Sequence, residues 1–155
     1  MHGLRQVDAA PWEALAWLLR MVVGCVLLYA SADKILHPQD FAAIVKGYRL
    51  LPEALVNLTA IWLPWFELVL GVCLYAGLWR QGALLLATSL LAAFWLALIV
   101  NYFRGIDVDC GCFSSASSDS LNAPSMLWYI GRDALLLALP LAAWEAQRRA
   151  EAEQR

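Results

Sequence analysis

Apolar residues fall in four long runs, from about Trp12 to Leu36, Leu55 to Leu78, Gly82 to Phe103 and Ser125 to Trp144. At about 1.5 Å per helical residue, each is long enough to cross about 30 Å of hydrocarbon. The pattern therefore predicts an all-α fold, a bundle of four transmembrane helices forming a single integral-membrane domain over residues 1–155, with a tail from 145 to 155. The second and third runs are separated only by Trp79-Arg80-Gln81 or so, a tight helical hairpin, whereas His37 to Ala54 and Arg104 to Pro124 are long enough to hold structure. Both long loops belong on the same side of the membrane. Within the first, Phe41, Ile44, Val45, Tyr48 and Leu51 recur on one helical face between Pro38 and Pro52, which predicts a short amphipathic helix lying at the interface.

Composition agrees with this reading and narrows it. Of 155 residues, 62% are hydrophobic and 15% charged, against about 45–50% and about 25% in a soluble domain. No room remains for a soluble catalytic domain, and no phosphate-cradling glycine motif is present. A net charge of -2 with both signs scattered shows neither a nucleic-acid footprint nor a polybasic lipid cluster. Ala30-Ser31-Ala32 has the form of a signal-peptide cleavage site, but Arg5 is offset by Asp8 and Glu13, and Arg20 interrupts an unusually long apolar run. A retained helix is expected.

Arginine and lysine positions give the orientation. The short hairpin and tails hold Arg5, Arg80, Arg148, Arg149 and Arg155, while the long loops hold Lys34, Lys46, Arg49 and Arg104. The small excess on the hairpin side predicts cytoplasmic termini. Tryptophans fit this register: Trp12, Trp17, Trp79 and Trp144 at one interface, and Trp62, Trp65 and Trp128, with Tyr102 and Tyr129, towards the other. Trp95 falls mid-span as a packing residue.

Arg20, Glu67, Arg132 and Asp133 lie within the apolar runs, where an isolated charge costs about 2.5–3.5 kcal/mol even on insertion scales. They are expected to face one another. Counting residues puts Arg132 about 11 Å and Glu67 about 18 Å below the outer face, and Arg20 about 12 Å from the inner one. Glu67 should then take one arginine and Asp133 the second. The stripe Ala60, Pro64, Glu67, Gly71, Tyr75 places Glu67 among small residues that allow close helix approach. Such a cluster either fixes the register of the bundle or forms a proton or quinone site near Glu67. Pro64 and Pro140 each free a backbone carbonyl one turn earlier and are expected to kink their helices.

Cys25 and Cys73 sit in apolar helix and read as small buried hydrophobes. Cys110 and Cys112 differ, standing in Asp107-Val108-Asp109-Cys110-Gly111-Cys112-Phe113 on the loop assigned to the oxidising exterior. In extended chain their Cα atoms would be about 6.6–7.2 Å apart, at the limit for a disulfide, so the loop must turn, and Gly111 permits that. A strained, exposed bond of this kind exchanges readily. Asp107 and Asp109 disfavour the thiolate and Arg104 favours it. A static loop staple, a soft-metal site and two unpaired thiols are the alternatives, although no second Cys pair or His cluster completes a tetrahedral metal site. The serine-rich stretch after Phe113 reads as a loop able to present the cysteines to a partner.

Asp33-Lys34 closing the first run, Tyr48-Arg49-Leu50-Leu51-Pro52, Pro64 with Glu67-Leu68-Val69-Leu70-Gly71, Arg104-Gly105, Asp109-Cys110-Gly111-Cys112-Phe113 and Arg132-Asp133 together carry a resemblance. Over about residues 15 to 140 the chain resembles the methylamine-utilisation MauE family of DoxX-like membrane proteins. The resemblance implies a four-helix protein of the bacterial inner membrane, without a cofactor, associated with methylamine metabolism. It further implies a part in maturation and disulfide formation of a periplasmic protein, alongside a thioredoxin-like partner. Cys110 and Cys112 would be the redox pair, with Gly111 as their turn. The competing expectations are a non-enzymatic assembly subunit with a structural Cys-Gly-Cys staple and a metal-handling membrane protein.

Overall fold

A computed structural model describes residues 10–106 and 126–153. Five helices make up the described chain: α1 (Ala10–Leu36), α2 (Pro38–Gly47), α3 (Glu53–Ala76), α4 (Arg80–Phe103) and α5 (Met126–Glu153). All but α2 are long and apolar enough to span a membrane, and the protein is a multi-pass membrane protein with an all-α fold.

Local sequence sets most boundaries. Pro38 opens α2 in its first turn, where its fixed φ suits a helix and its missing N–H costs nothing, and Asp40 and Lys46 complement the dipole at either end. Gly77 closes α3 in the left-handed region at φ 70°, with the Leu78 N–H returning to the Cys73 carbonyl. The hairpin turn is therefore Gly77-Leu78-Trp79, and α4 starts at Arg80, earlier than the hydropathy pattern suggested. Gly82 belongs to the helix: a Cβ there would stand 2.6 Å from the Trp79 ring, which lies across it. Pro64 and Pro140 are buried within continuous helices.

The four long helices form a ring in which α1 packs on α3 and α5, and α4 packs on the same two. Antiparallel order gives the bundle a turn end, where α3 meets α4, and a loop end, where α2 packs on α1 and α3. Val23, Leu27, Leu70, Leu74, Ala83, Leu84, Ala87 and Ala143 fill the middle. Tyr48, Leu98 and Tyr129 form a smaller core at the loop end, so Tyr129 is buried within the bundle at that end.

Helices α1 and α3 approach closely at two glycines. A Cβ on Gly24 would stand 3.2 Å from the Gly71 carbonyl oxygen, and one on Gly71 would stand 3.1 Å from that of Gly24. The expected stripe of small residues is buried at Ala60, Pro64, Glu67 and Gly71, but its next member is Leu74, and Tyr75 faces outward. A period of about 3.6 leaves a three- or four-residue step open at that point, and packing against Leu84 and Val23 in the central core decides it.

The segment read as a tail continues α5 to Glu153. Ala143, Ala146 and Ala150 are buried, Arg149 lies 4.8 Å from the centre of the Trp12 ring, and Gln81 donates to Glu151 at 3.2 Å. Small residues at helical spacing let this end lie against its neighbours, a pattern too polar overall to stand out by hydropathy. Cys25 faces out of the bundle, Cys73 is partly buried against the central core, and both are free thiols. Trp95 packs mid-span and donates from Nε1 to the Ile130 carbonyl at 3.1 Å.

Candidate functional site

Every helix contributes to one polar cluster near the loop end. Lys34, from the last turn of α1, donates from Nζ to both carboxylate oxygens of Glu67 on α3, at 2.7 and 2.8 Å. Both side chains are 2% exposed. Phe41 of α2 and Phe94 of α4 place ring centres 5.3 and 5.4 Å from the same ammonium, a cation–π arrangement that strengthens when water is excluded. Asp133 of α5 lines a small cavity with Lys34, Glu67 and Phe94 and accepts from Nε and Nη2 of Arg132, at 3.0 and 2.8 Å. Arg132 also lies over the Tyr129 ring at 5.3 Å. Among the described residues, the cluster thus holds two cations and two carboxylates.

This arrangement corrects the expected pairing. Asp133 holds a guanidinium, but Glu67 takes Lys34, a residue at the end of the first apolar run that the charge count grouped with the long loops. Arg20 stands apart: it shares α1 with Lys34 but lies fourteen residues earlier, about 21 Å along the axis. The depth count failed because it followed backbone positions. Relative to the Gly24–Gly71 contact, Lys34 is about 15 Å towards the loop end and Glu67 only about 6 Å. Helical side chains tilt towards their own N-terminus, so in antiparallel α1 and α3 the lysine reaches down and the glutamate up. The available signal was Asp33-Lys34 inside a helix that continues to Leu36.

The cavity beside Lys34, Glu67 and Asp133 measures about 20 Å³, room for about one water. An organic ligand needs about 300 Å³ or more, well above the size of this cavity. Ion pairing and proton exchange with a single water are what this geometry can support.

Arg104, expected to modulate the cysteines, donates to the backbone carbonyls of Arg49 and Tyr48 at 3.3 and 3.5 Å. It ties the end of α4 to the end of α2, with Arg49 held at φ 49°. Asp107, Asp109, Cys110, Gly111 and Cys112 lie outside the described residues. Among the described residues, α4 ends and α5 begins at the end of the bundle that holds the Lys34–Glu67 pair.

Comparison with known proteins bears on the whole span. A family model described as methylamine utilisation protein MauE matches residues 12–145. Methylamine utilization protein MauE of Paracoccus denitrificans is 32% identical over 127 residues, covering 81% of this chain and 66% of that relative. The proteins of the same name from Methylorubrum extorquens and Methylophilus methylotrophus are 37% and 33% identical, over 77% and 83% of this chain and 64% of each relative. The chain thus spans just under two thirds of the length of these relatives. No solved structure matches it. With a matching model across nearly all of its helical frame and relatives above 30% identity over most of its length, the chain belongs to the MauE family of methylamine utilisation proteins.

Proposed function

We propose that this protein is an inner-membrane factor of thiol–disulfide chemistry that supports maturation of a periplasmic protein in methylamine utilisation. The observation that carries the reading is Cys110-Gly111-Cys112 in the connection between α4 and α5 of a MauE family member. Arg104 supports it, because its bonds to the Tyr48 and Arg49 carbonyls hold the point from which that connection departs. A two-residue separation gives a strained, easily exchanged disulfide. One client thiolate attacks a sulfur of the Cys110–Cys112 bond, giving a mixed disulfide and one released thiolate. A second client thiolate then displaces the first sulfur, leaving the client oxidised and both loop cysteines reduced. A thioredoxin-like protein disulfide accepts the two electrons and restores the pair.

In this reading Lys34–Glu67 and Arg132–Asp133 fix the helices that frame the loop, and the cytoplasm lies at the turn end. The test is capture of the exchange intermediate. Cys110→Ser and Cys112→Ser, each introduced singly, should accumulate reductant-sensitive adducts with the thioredoxin-like periplasmic protein, because the remaining thiolate attacks that protein's disulfide and the second loop thiol that would resolve the mixed disulfide is gone. An assembly subunit with a stapled loop would give no adduct and equal loss of stability in both variants. A metal site would instead show stoichiometric metal lost in either.

A further inference from the structure

The turn end holds a second cluster, independent of the thiol reading. Arg20 is 5% exposed, its Nε is buried without a hydrogen-bond partner, and it takes part in none of the ion pairs among the described residues. A guanidinium does not deprotonate in proteins, so this is a permanent charge on an almost wholly covered side chain. It lines a cavity of about 710 Å³ between α1, α4 and α5. Arg80 lines the same cavity. Arg20 Nη2 and Arg80 Nε lie 3.5 and 3.8 Å from where a Cβ on Gly77 would stand, so two cations converge on one spot with no carboxylate between them.

Further positive potential comes from the backbone. Arg80 is the first residue of α4, whose N-cap Trp79 sits at φ 46° and provides no side-chain cap, and whose first turn carries no acidic residue. The opening N–H groups of a helix spanning the membrane therefore face this end without a capping side chain. Trp17 and Trp79, both more than half exposed, flank the opening, as indole rings do at the headgroup level. Glu13 and Glu151 are on the rim, but both are exposed, where water and salt screen them.

We propose that this cavity binds a phosphate-bearing anion, with the buried Arg20 fork as its main anchor and Arg80 and the start of α4 completing the seat. Planar guanidinium groups match phosphate oxygens in bidentate fashion, and basic pockets between membrane helices hold anionic headgroups. The anion is either the headgroup of an acidic phospholipid or a free phosphate compound.

The full chain, delipidated in neutral detergent, is melted while tryptophan fluorescence is followed. Dioctanoyl phosphatidylglycerol, dioctanoylglycerol without phosphate, and inorganic phosphate are titrated separately. A saturable rise in melting temperature with phosphatidylglycerol but not dioctanoylglycerol supports the site. A rise with inorganic phosphate as well shows that free phosphate compounds enter it. Arg20→Met should weaken the apparent affinity about tenfold or more, the effect of losing a hydrogen-bonded charge pair. Arg80→Gln should weaken it less, and Arg148→Gln, on the exposed side of α5 at the same end, should leave it unchanged. Without anion, Arg20→Met should melt no lower than wild type, because it removes an unpaired buried charge, and a lower melting point counts against the proposal. If Arg20→Met does not fold, Arg80→Gln carries the comparison. Absence of stabilisation by either anionic probe, or equal stabilisation in the arginine variants and wild type, overturns the proposal.

Discussion

Lys34 Nζ bonds both carboxylate oxygens of Glu67, at 2.7 and 2.8 Å, across an interface where α1 and α3 approach closely enough for Gly24 and Gly71 to meet. Both side chains are almost wholly shielded from bulk solvent, and each is the other's only full counter-charge within hydrogen-bond reach among the described residues. Removing one partner of such a pair strands the other, at a cost of about 3–5 kcal/mol. Glu67→Ala and Lys34→Ala should therefore each lower stability in detergent far more than Leu68→Ala. The double variant Lys34→Met with Glu67→Leu should recover most of the loss, since well-packed apolar replacements of a buried pair are near neutral or better. A double-mutant cycle in chemical denaturant, built from Lys34→Met, Glu67→Leu and the double variant, reads the coupling. Additive losses would show that the two side chains act separately.

Close packing between α1 and α3 makes a second prediction. In Gly71→Ala the new methyl would meet Leu28 Cγ at 2.9 Å and the Gly24 carbonyl at 3.1 Å, so the helices must part. That overpacking should cost about 1–3 kcal/mol. Gly131→Ala, inside α5, meets nothing within 4 Å and should be neutral or stabilise by up to about 1 kcal/mol through helix propensity. Melting of the two variants side by side tests whether the glycine contact, and not helix propensity, is responsible.

Orientation in the membrane is open to direct test. The arginine count at the turn end predicts a cytoplasmic location for that end and a periplasmic one for the cysteine loop. A reporter active only in the periplasm should work when fused after Ser115 and remain silent when fused after Arg80 or Arg155. The reverse pattern would place Cys110 and Cys112 in a reducing compartment, where an oxidising exchange pair does not persist.

The redox potential of the loop separates an exchanging pair from a staple. Thiol trapping of the full-length protein across a glutathione titration should show Cys110 and Cys112 oxidising together at a potential above about -300 mV, the bound below which structural disulfides fall. A lower value, with no trapped adduct in the single serine variants, fits the staple.

Some of this was legible in the sequence. Four apolar runs with their glycine and proline punctuation determined the number of spans, the tight hairpin and the short helix that begins at Pro38, because the cost of exposing backbone and burying charge in hydrocarbon is paid residue by residue along the chain. The same local rule found Arg20, Glu67, Arg132 and Asp133 as groups needing partners. Only the tertiary structure decided which partners they have. Hydropathy gives each residue's approximate depth, but not the rotation of its helix, its neighbours in the ring or the direction of its side chain. Lys34 reaches Glu67 because α1 and α3 are antiparallel neighbours whose side chains tilt towards each other. Arg132 folds back onto Asp133, while Arg20 is left facing a cavity with Arg80. The end of α5 shows the same division: Ala143, Ala146 and Ala150 carry too little hydrophobicity to announce a buried face, and their small size matters only once Trp12 of α1 and Gln81 of α4 are beside that helix.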